Sequence, residues 1–490
     1  MPLVLGIDSS TQSVKVEVRD LETGAVVGVG RASHPTTTPP RSEQSPLAWW
    51  EALVLAVHSA FSGGRFGADP GLRSQVVALS VGGQQHGLVV LDSFYEVIRP
   101  AKLWNDTESA AHAAVLVDKI GARSWADTVG SVPVAAFTIT KLAWLADVEP
   151  QNFARTQYVL LPHDWLTFRL TGQLVTDRGD ASGTGYWSPA TQTWSTGLLN
   201  LIDGGRDWSL CLPKICAPTE VAGTLLPSVA DELGLPTSVV VGPGSGDNMA
   251  AALGIGLMPG DVALSLGTSG TVYAVSSTPT ADDTGCVAGF ADASGNYLPL
   301  VCTLNATKVS DFAMRMLGAE PGEFNNLVLS TPLGAGGLTL LPYLDGERTP
   351  NRPDATGTLV GVRSNTSRAE FARASVEGVV CGLLDGLDAL DAAGVETTGR
   401  LYILGGGAKS SAYRQTVADL AKRSVVVPTS EEHVATGAAV QAAAVARGLG
   451  PESLSTIAES WGLGAGIEVS PIATGDQADA VRARYAATRG

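Results

Sequence analysis

The segment GSGDNMAAALG, residues 244–254, sets one carboxylate, Asp247, and one amide, Asn248, between a glycine-rich turn and a helix of small residues. A carboxylate in that place has two readings. It caps the helix by accepting from the first free backbone N–H groups. Or it acts as a general base toward a ligand that the flanking glycines allow to come close. On the residues alone the two are comparable. The first strand poses a similar question: LVLGIDSSTQSVKV carries Asp8 at its end, followed by Ser9, Ser10, Thr11, Gln12 and Ser13. A hairpin needs only a pair such as Asn-Gly. So many side-chain oxygens suit a ligand as well as a turn, although a surface hairpin is the plainer reading of this stretch by itself. In GGQQHG, 82–87, glycines bracket Gln85 and His86, an arrangement that suits backbone exposed to a hydroxyl-bearing ligand. A lone histidine is more often structural.

A third glycine site is RLYILGGGAKSSAYRQTVADLAKR. A strand ends at Leu404, three glycines follow, and a helix starts near Ser411. In outline this is a strand–loop–helix cradle for phosphate or nucleotide, and equally a tight connection. The chain has no Gly-Lys dipeptide and no G-x-G-x-x-G, so neither standard nucleotide fingerprint is present. The stretch DVALSLGTSGTVYAV, 261–275, repeats the plan of the opening: an apolar strand, a tight turn (Gly267, Thr268, Ser269), then a second strand with alternating apolar residues. The half-chain spacing favours an internal duplication.

These sites need elements to carry them. LVLGID, VKVEV, VVALSVG, LVVLD and YVLLP read as strands. SPLAWWEALVLAVHSAF reads as a helix, with Ser45 as N-cap, Pro46 at the first helical position, and Trp49, Leu53, Val57 and Phe61 on one face. Alternation of strands and helices over 490 residues predicts an α/β chain of two domains or more. With 44% hydrophobic and 16% charged residues it reads as an ordinary globular protein. A net charge of −16 argues against nucleic acid or an anionic membrane as partner, yet leaves room for one phosphorylated ligand held by backbone N–H groups. The N-terminus lacks a basic region, no run is long enough for a membrane span, and the five cysteines form no C-x-x-C pair. A cytoplasmic protein with reduced thiols is the expectation.

Together the matched hairpins and the glycine loop resemble the actin-like ATPases, whose paired hairpins grip ATP phosphates from both sides of a cleft. Further segments narrow the resemblance to the FGGY carbohydrate kinases, and within them to those acting on xylulose: SEQSPLAWW, GGQQHGLVVLD, LWNDTES, LLPHDWLTFRLTG, TDRGDASGT, GSGDNMAAALG, LSLGTSGT, LPYLDGERTP and LGGGAKSSAYRQTVAD follow in the family's order over nearly the whole chain. Three positions depart from the pattern. Ser10 stands in the usual glycine place of the first turn, Gln85 where many relatives have Met, and Ser411 where some have Asn.

The resemblance implies a fold of two actin-like (ribonuclease H-like) ATPase domains with a central cleft. The expected domains are 1–243, holding the sugar site and first phosphate hairpin, and 244–490, holding the catalytic Asp, second hairpin and adenosine loop. It implies phosphorylation of D-xylulose by ATP to D-xylulose 5-phosphate in pentose catabolism, with Mg²⁺. Asp247 then becomes the base, with Asn248 assisting. Asp8, whose charge would repel phosphate unless a cation lay between, is expected to hold the metal. Ser10, Thr11, Gly267, Thr268 and Ser269 are expected at the phosphates, and Gly406 and Gly407 under the adenosine. Gln85, His86, Trp104, Asp106, Asp247 and Asn248 are expected around the sugar. A homodimer is a compatible assembly, though the sequence fixes no oligomeric state. The alternatives are a family kinase for ribulose, glycerol or a sugar acid such as gluconate, an actin-like ATPase without sugar kinase activity, and a non-catalytic sugar sensor.

Overall fold

The strand Leu3–Ser9 is buried along its whole length, as expected of a strand covered on both faces. It pairs antiparallel with Ser13–Asp20 and parallel with Val76–Gly83 in a computed structural model that describes residues 1–63 and 70–490. The sheet runs in the order Gly223–Thr224, Val240–Val241, Val76–Gly83, Leu3–Ser9, Ser13–Asp20, Val26–Ser33, and Ser245–Gly246 adds beside Val76–Gly83. The helix Pro46–Ala60 covers the hairpin with Trp49, Leu53 and Val57, all fully buried. Ser45 sits at its N-cap without a side-chain cap; its carbonyl instead accepts from Ala48 N–H.

Packing divides the described residues into two compact units. One comprises Met1–Leu257, Ser277–Leu298 and Glu432–Leu463; the other comprises Met258–Ser276, Pro299–Glu431 and Gly464–Gly490. A single cut after residue 243 does not describe this division. The physical reason is the helix His433–Ala446, rich in Ala with a glycine at 437, which closes onto the rest of the first unit at backbone distance. A Cβ on Gly6 would lie 1.8 Å from the Ala435 carbonyl oxygen, and one on Gly437 would lie 1.9 Å from that of Ala250. The helix Asp247–Gly254 packs there too, so Asp247 belongs to the first unit.

The second unit repeats the opening motif. Val262–Leu266 pairs antiparallel with Gly270–Ala274 and parallel with Leu401–Leu404, as the first strand does with its two neighbours. Beyond them follow Val425–Pro428 and Gly466–Val469. Among the described residues no helix is long and apolar enough to cross a membrane.

Candidate active site

Strand register assembles the site in the first unit. Asp8 and Ser9 lie beside Gly82 and Gly83 in a parallel ladder, and Ser245 and Gly246 lie beside the same two glycines on the other side. Three neighbouring strands therefore end together. Past their ends come Ser10–Thr11, Gln84–Gln85–His86 and Asp247–Asn248, residues far apart in the chain. The carboxyl ends of parallel strands are where open α/β sheets receive ligands.

Asn248 ties two of these ends. Its Nδ2 donates to Gln85 Oε1 at 2.8 Å and to Asp247 Oδ1 at 2.9 Å, and its backbone N–H reaches the same Asp247 oxygen at 2.8 Å. Gln85 Nε2 is buried and has no partner. An orphaned amide donor of this kind is costly unless a ligand meets it. Burial, with the Asp180 charge second, pushes the Asp247 carboxyl up to about 7. A carboxylate of that basicity suits proton abstraction near neutral pH. Gly246 occupies the N-cap position and Asp247 is the first residue of the helix, so its carboxylate meets one first-turn N–H, that of Asn248, and keeps its other oxygen for a ligand.

His86 has φ +62°, a conformation that side-chain-bearing residues rarely adopt. Its ring stacks on Phe137 at 5.4 Å and meets Phe290 at 5.2 Å. A Cβ on Gly183 would lie 1.8 Å from His86 Cε1, so a bare backbone forms another wall of its seat.

Asp8 is buried, and its Oδ1 has no hydrogen-bond partner. Its Oδ2 lies 3.7 Å from Lys15 Nζ, which also pairs with Glu432 at 2.6 Å. Burial pushes the Asp8 carboxyl up to about 7; Lys15 opposes that rise, and the Asp247 and Glu432 charges add to it. An orphaned carboxylate oxygen beside a second carboxylate is a donor set that fits a hard divalent cation.

Several expected ligands have other partners. Ser10 Oγ donates to the Ser13 carbonyl at 3.2 Å. Thr11 Oγ1 donates to Gln84 Oε1 at 3.1 Å and accepts from Trp104 Nε1 at 2.9 Å. Each hydroxyl has one proton to donate, so in this arrangement both brace the turn. Trp104 thereby braces the turn at Ser10–Thr11. Asp106 departs furthest from its expected place around the sugar. It is fully buried, and both of its oxygens are engaged, Oδ2 by Lys102 Nζ at 3.0 Å and Ser42 N–H at 2.9 Å, Oδ1 by Glu108 N–H at 3.1 Å. The Lys102 ammonium sits against Trp144, 3.8 Å from the ring centre, and within reach of Glu43 and Glu108. Burying that ammonium requires these carboxylates.

In the second unit the turn 267–269 and the glycine loop lie at the same end of their sheet, since Ser265 pairs with Leu404. The Gly267 and Thr268 carbonyls accept from Thr307 and Ala306 N–H at the start of the helix Thr307–Leu317, and the Thr268 side chain is exposed. The two loop glycines differ. Gly406 is exposed with open space where a Cβ would stand, whereas a Cβ on Gly407 would meet that of Leu266 at 2.7 Å. Ser411 opens the helix Ser411–Ala421 and bonds Asn325 at 3.1 Å.

This pattern matches a known family over nearly the whole chain. The FGGY family of carbohydrate kinases, N-terminal domain, matches residues 3–254, and its C-terminal domain matches 262–446. The chain belongs to the FGGY family of carbohydrate kinases. A xylulose kinase of Streptomyces rubiginosus is 45% identical over 471 residues, covering 95% of this chain and 92% of that protein. The crystal structure of xylulose kinase from Bifidobacterium adolescentis superposes with TM-score 0.86 at 39% identity, covering 100% of this chain and 99% of that one. A gluconate kinase from Lactobacillus acidophilus reaches TM-score 0.88 at 25% identity, covering 99% of this chain and 96% of that one. The two-domain actin-like α/β fold of the FGGY kinases is thus the fold of this chain.

Sequence reasoning missed Gln84, Phe137, Phe290, Lys15, His163 and Asp180. Asp180 and His163 lie inside the family segments TDRGDASGT and LLPHDWLTFRLTG, with nothing to single them out. The two phenylalanines gave no signal beyond apolarity.

Proposed function

We propose that this chain transfers the γ-phosphoryl group of ATP to D-xylulose, giving D-xylulose 5-phosphate and ADP. The observation that carries the reading is the joined trio of Asp247, Asn248 and Gln85, with a half-buried base and an orphaned amide donor, in a chain 45% identical to a xylulose kinase. Asp247 takes the proton of the C5 hydroxyl as that oxygen bonds to phosphorus, and the bond from phosphorus to the ADP oxygen breaks. Asn248 holds the carboxylate in place, and Gln85 Nε2 and the His86 imidazole read sugar oxygens. Asp8 would hold Mg²⁺, which neutralises phosphate charge when bound. Ser10, Thr11, Gly267, Thr268 and Ser269 serve the phosphates through main-chain and hydroxyl groups, and Gly406 and Gly407 the adenosine.

The test is ATP consumption across D-xylulose, D-ribulose, glycerol and D-gluconate, with each product identified. D-xylulose should give the largest kcat/KM and a 5-phosphate product. A larger kcat/KM for any of the others would overturn the substrate, and sugar-independent ATP turnover at the same rate would overturn the kinase.

A further inference from the structure

Beneath the site lies a charged cluster that the proposed chemistry does not use. His163 is fully buried, and its Nε2 lies 3.1 Å from Asp177 Oδ1, 3.3 Å from Asp164 Oδ1 and 3.4 Å from Asp180 Oδ2. All three carboxylates are buried as well. One imidazole among three carboxylates is an expensive way to fill a core, and well-packed apolar residues are often as stable or more so. Asp177 has a local duty, capping the short helix Arg178–Ser182. Asp164 accepts from Leu161 N–H at the start of its own helix. Asp180 reaches elsewhere: its Oδ1 accepts the His86 backbone N–H at 3.2 Å and lies 3.6 Å from His86 Nδ1.

His86 needs such a partner. A residue with a side chain leaves the left-handed region unless its surroundings hold it there. Here both backbone groups are gripped by side chains, the N–H by Asp180 and the carbonyl by Thr138 Oγ1 at 3.2 Å. His163 braces the same place from below. A Cβ on Gly83 would lie 2.9 Å from His163 Cβ, and one on Gly244 would lie 2.6 Å from His163 Nδ1. The imidazole therefore underlies the chain on its way to Gln85–His86 and the chain on its way to Asp247.

We infer that Asp180, braced by His163, is a positioning residue for sugar binding: its carboxylate fixes His86 in the left-handed backbone conformation from which the imidazole meets the substrate. This rests on the reading that His86 faces the sugar. Charge is not what the grip needs. An amide oxygen accepts the same N–H, so Asp180→Asn should keep His86 seated while Asp180→Ala releases it.

The test uses the full chain with Asp180→Ala, Asp180→Asn, Thr138→Val, His86→Ala and the double variant Asp180→Ala/His86→Ala. Steady-state kinetics with D-xylulose and ATP should show KM for the sugar about tenfold higher in Asp180→Ala, with kcat and KM for ATP within about threefold of wild type. Asp180→Asn should restore KM for the sugar to within about threefold, and the double variant should be no worse than His86→Ala, because a residue acting through another is non-additive with it. Amide hydrogen exchange in the ligand-free protein reads the grip without any substrate. The His86 amide should exchange about tenfold faster in Asp180→Ala, with the amides of Val76–Gly83 unchanged and Asp180→Asn like wild type. Thr138→Val supplies a second release of the same residue should Asp180→Ala fail to fold, and the same rise in KM for the sugar is expected. An equal loss from Asp180→Ala in the His86→Ala background, a parallel rise in KM for ATP, or an unchanged His86 exchange rate overturns the proposal. If the wild-type enzyme does not phosphorylate D-xylulose, the proposed function fails and the exchange measurement alone decides the role of Asp180.

Discussion

Asp247→Asn removes one charge and little else. The amide oxygen can still accept the two Asn248 donors that Asp247 Oδ1 now accepts. As proposed base, Asp247 should be irreplaceable, and kcat should fall roughly 10²–10⁴-fold. The same substitution should make the protein more stable. A carboxyl raised from 3.8 to about 7 on folding destabilises the folded state by about 1.4 kcal/mol for each tenfold weakening of its acidity, which caps the effect near 4 kcal/mol. Asp247 keeps part of its surface in water, and that screening trims the gain to roughly 1–2 kcal/mol. The folded state holds the proton more tightly than the unfolded one. The penalty is therefore absent below the unfolded value of 3.8, grows with pH, and is complete above about 7. Thermal unfolding at pH 8 should show Asp247→Asn melting roughly 1–4 °C above wild type. At pH 5 the gap should shrink to less than half. Loss of activity together with gained stability marks a charge kept for chemistry. A melting temperature at pH 8 equal to or below wild type, in a variant that still turns over, would refute both the desolvated carboxylate and its role as base.

The raised Asp247 value also predicts that kcat/KM for the sugar falls about tenfold per pH unit below about 7 and levels off above it, as a base must be ionised to act; a profile flat from pH 5 to 8 would contradict this. Trp104→Phe removes the donor to Thr11 and should raise KM for ATP about three- to tenfold with little change for the sugar, since about 0.5–1.5 kcal/mol follows the loss of one hydrogen bond. A reversed pattern would return Trp104 to the sugar pocket. Asp106→Ala leaves Lys102 short of a buried partner and should lower stability by about 1–3 kcal/mol, while the folded fraction keeps its kcat and KM. Gly407→Ala meets Leu266 and should lower the melting temperature. Gly406→Ala, with open space around it, should leave stability alone and raise KM for ATP, as read by unfolding and initial-rate assays together.

The sequence alone was enough for whatever depends on neighbours along the chain. Buried strands announce themselves as apolar runs, which is why Leu3–Ser9, Val76–Gly83 and Leu401–Leu404 were legible. The helix Pro46–Ala60 was legible from its period and its proline. Glycines around Gln85, His86 and Asp247 marked backbone that a ligand could approach, and the order of the motifs carried the family. Tertiary structure decided what each side chain touches. Trp104 and Thr11 stand 93 positions apart, and Asp180 and His86 94 apart. Lys15 read as part of a strand until register put it opposite Asp8. The helix His433–Ala446 joined the first unit because its small residues allow backbone contact with Gly6, a fit that neither segment shows by itself. Asp106 was expected at the sugar from the family resemblance alone, whereas in the fold both of its oxygens are engaged, one of them by the buried Lys102 ammonium. A side chain's partner is set by which strands lie adjacent and in what register, and that is settled only when the whole sheet closes.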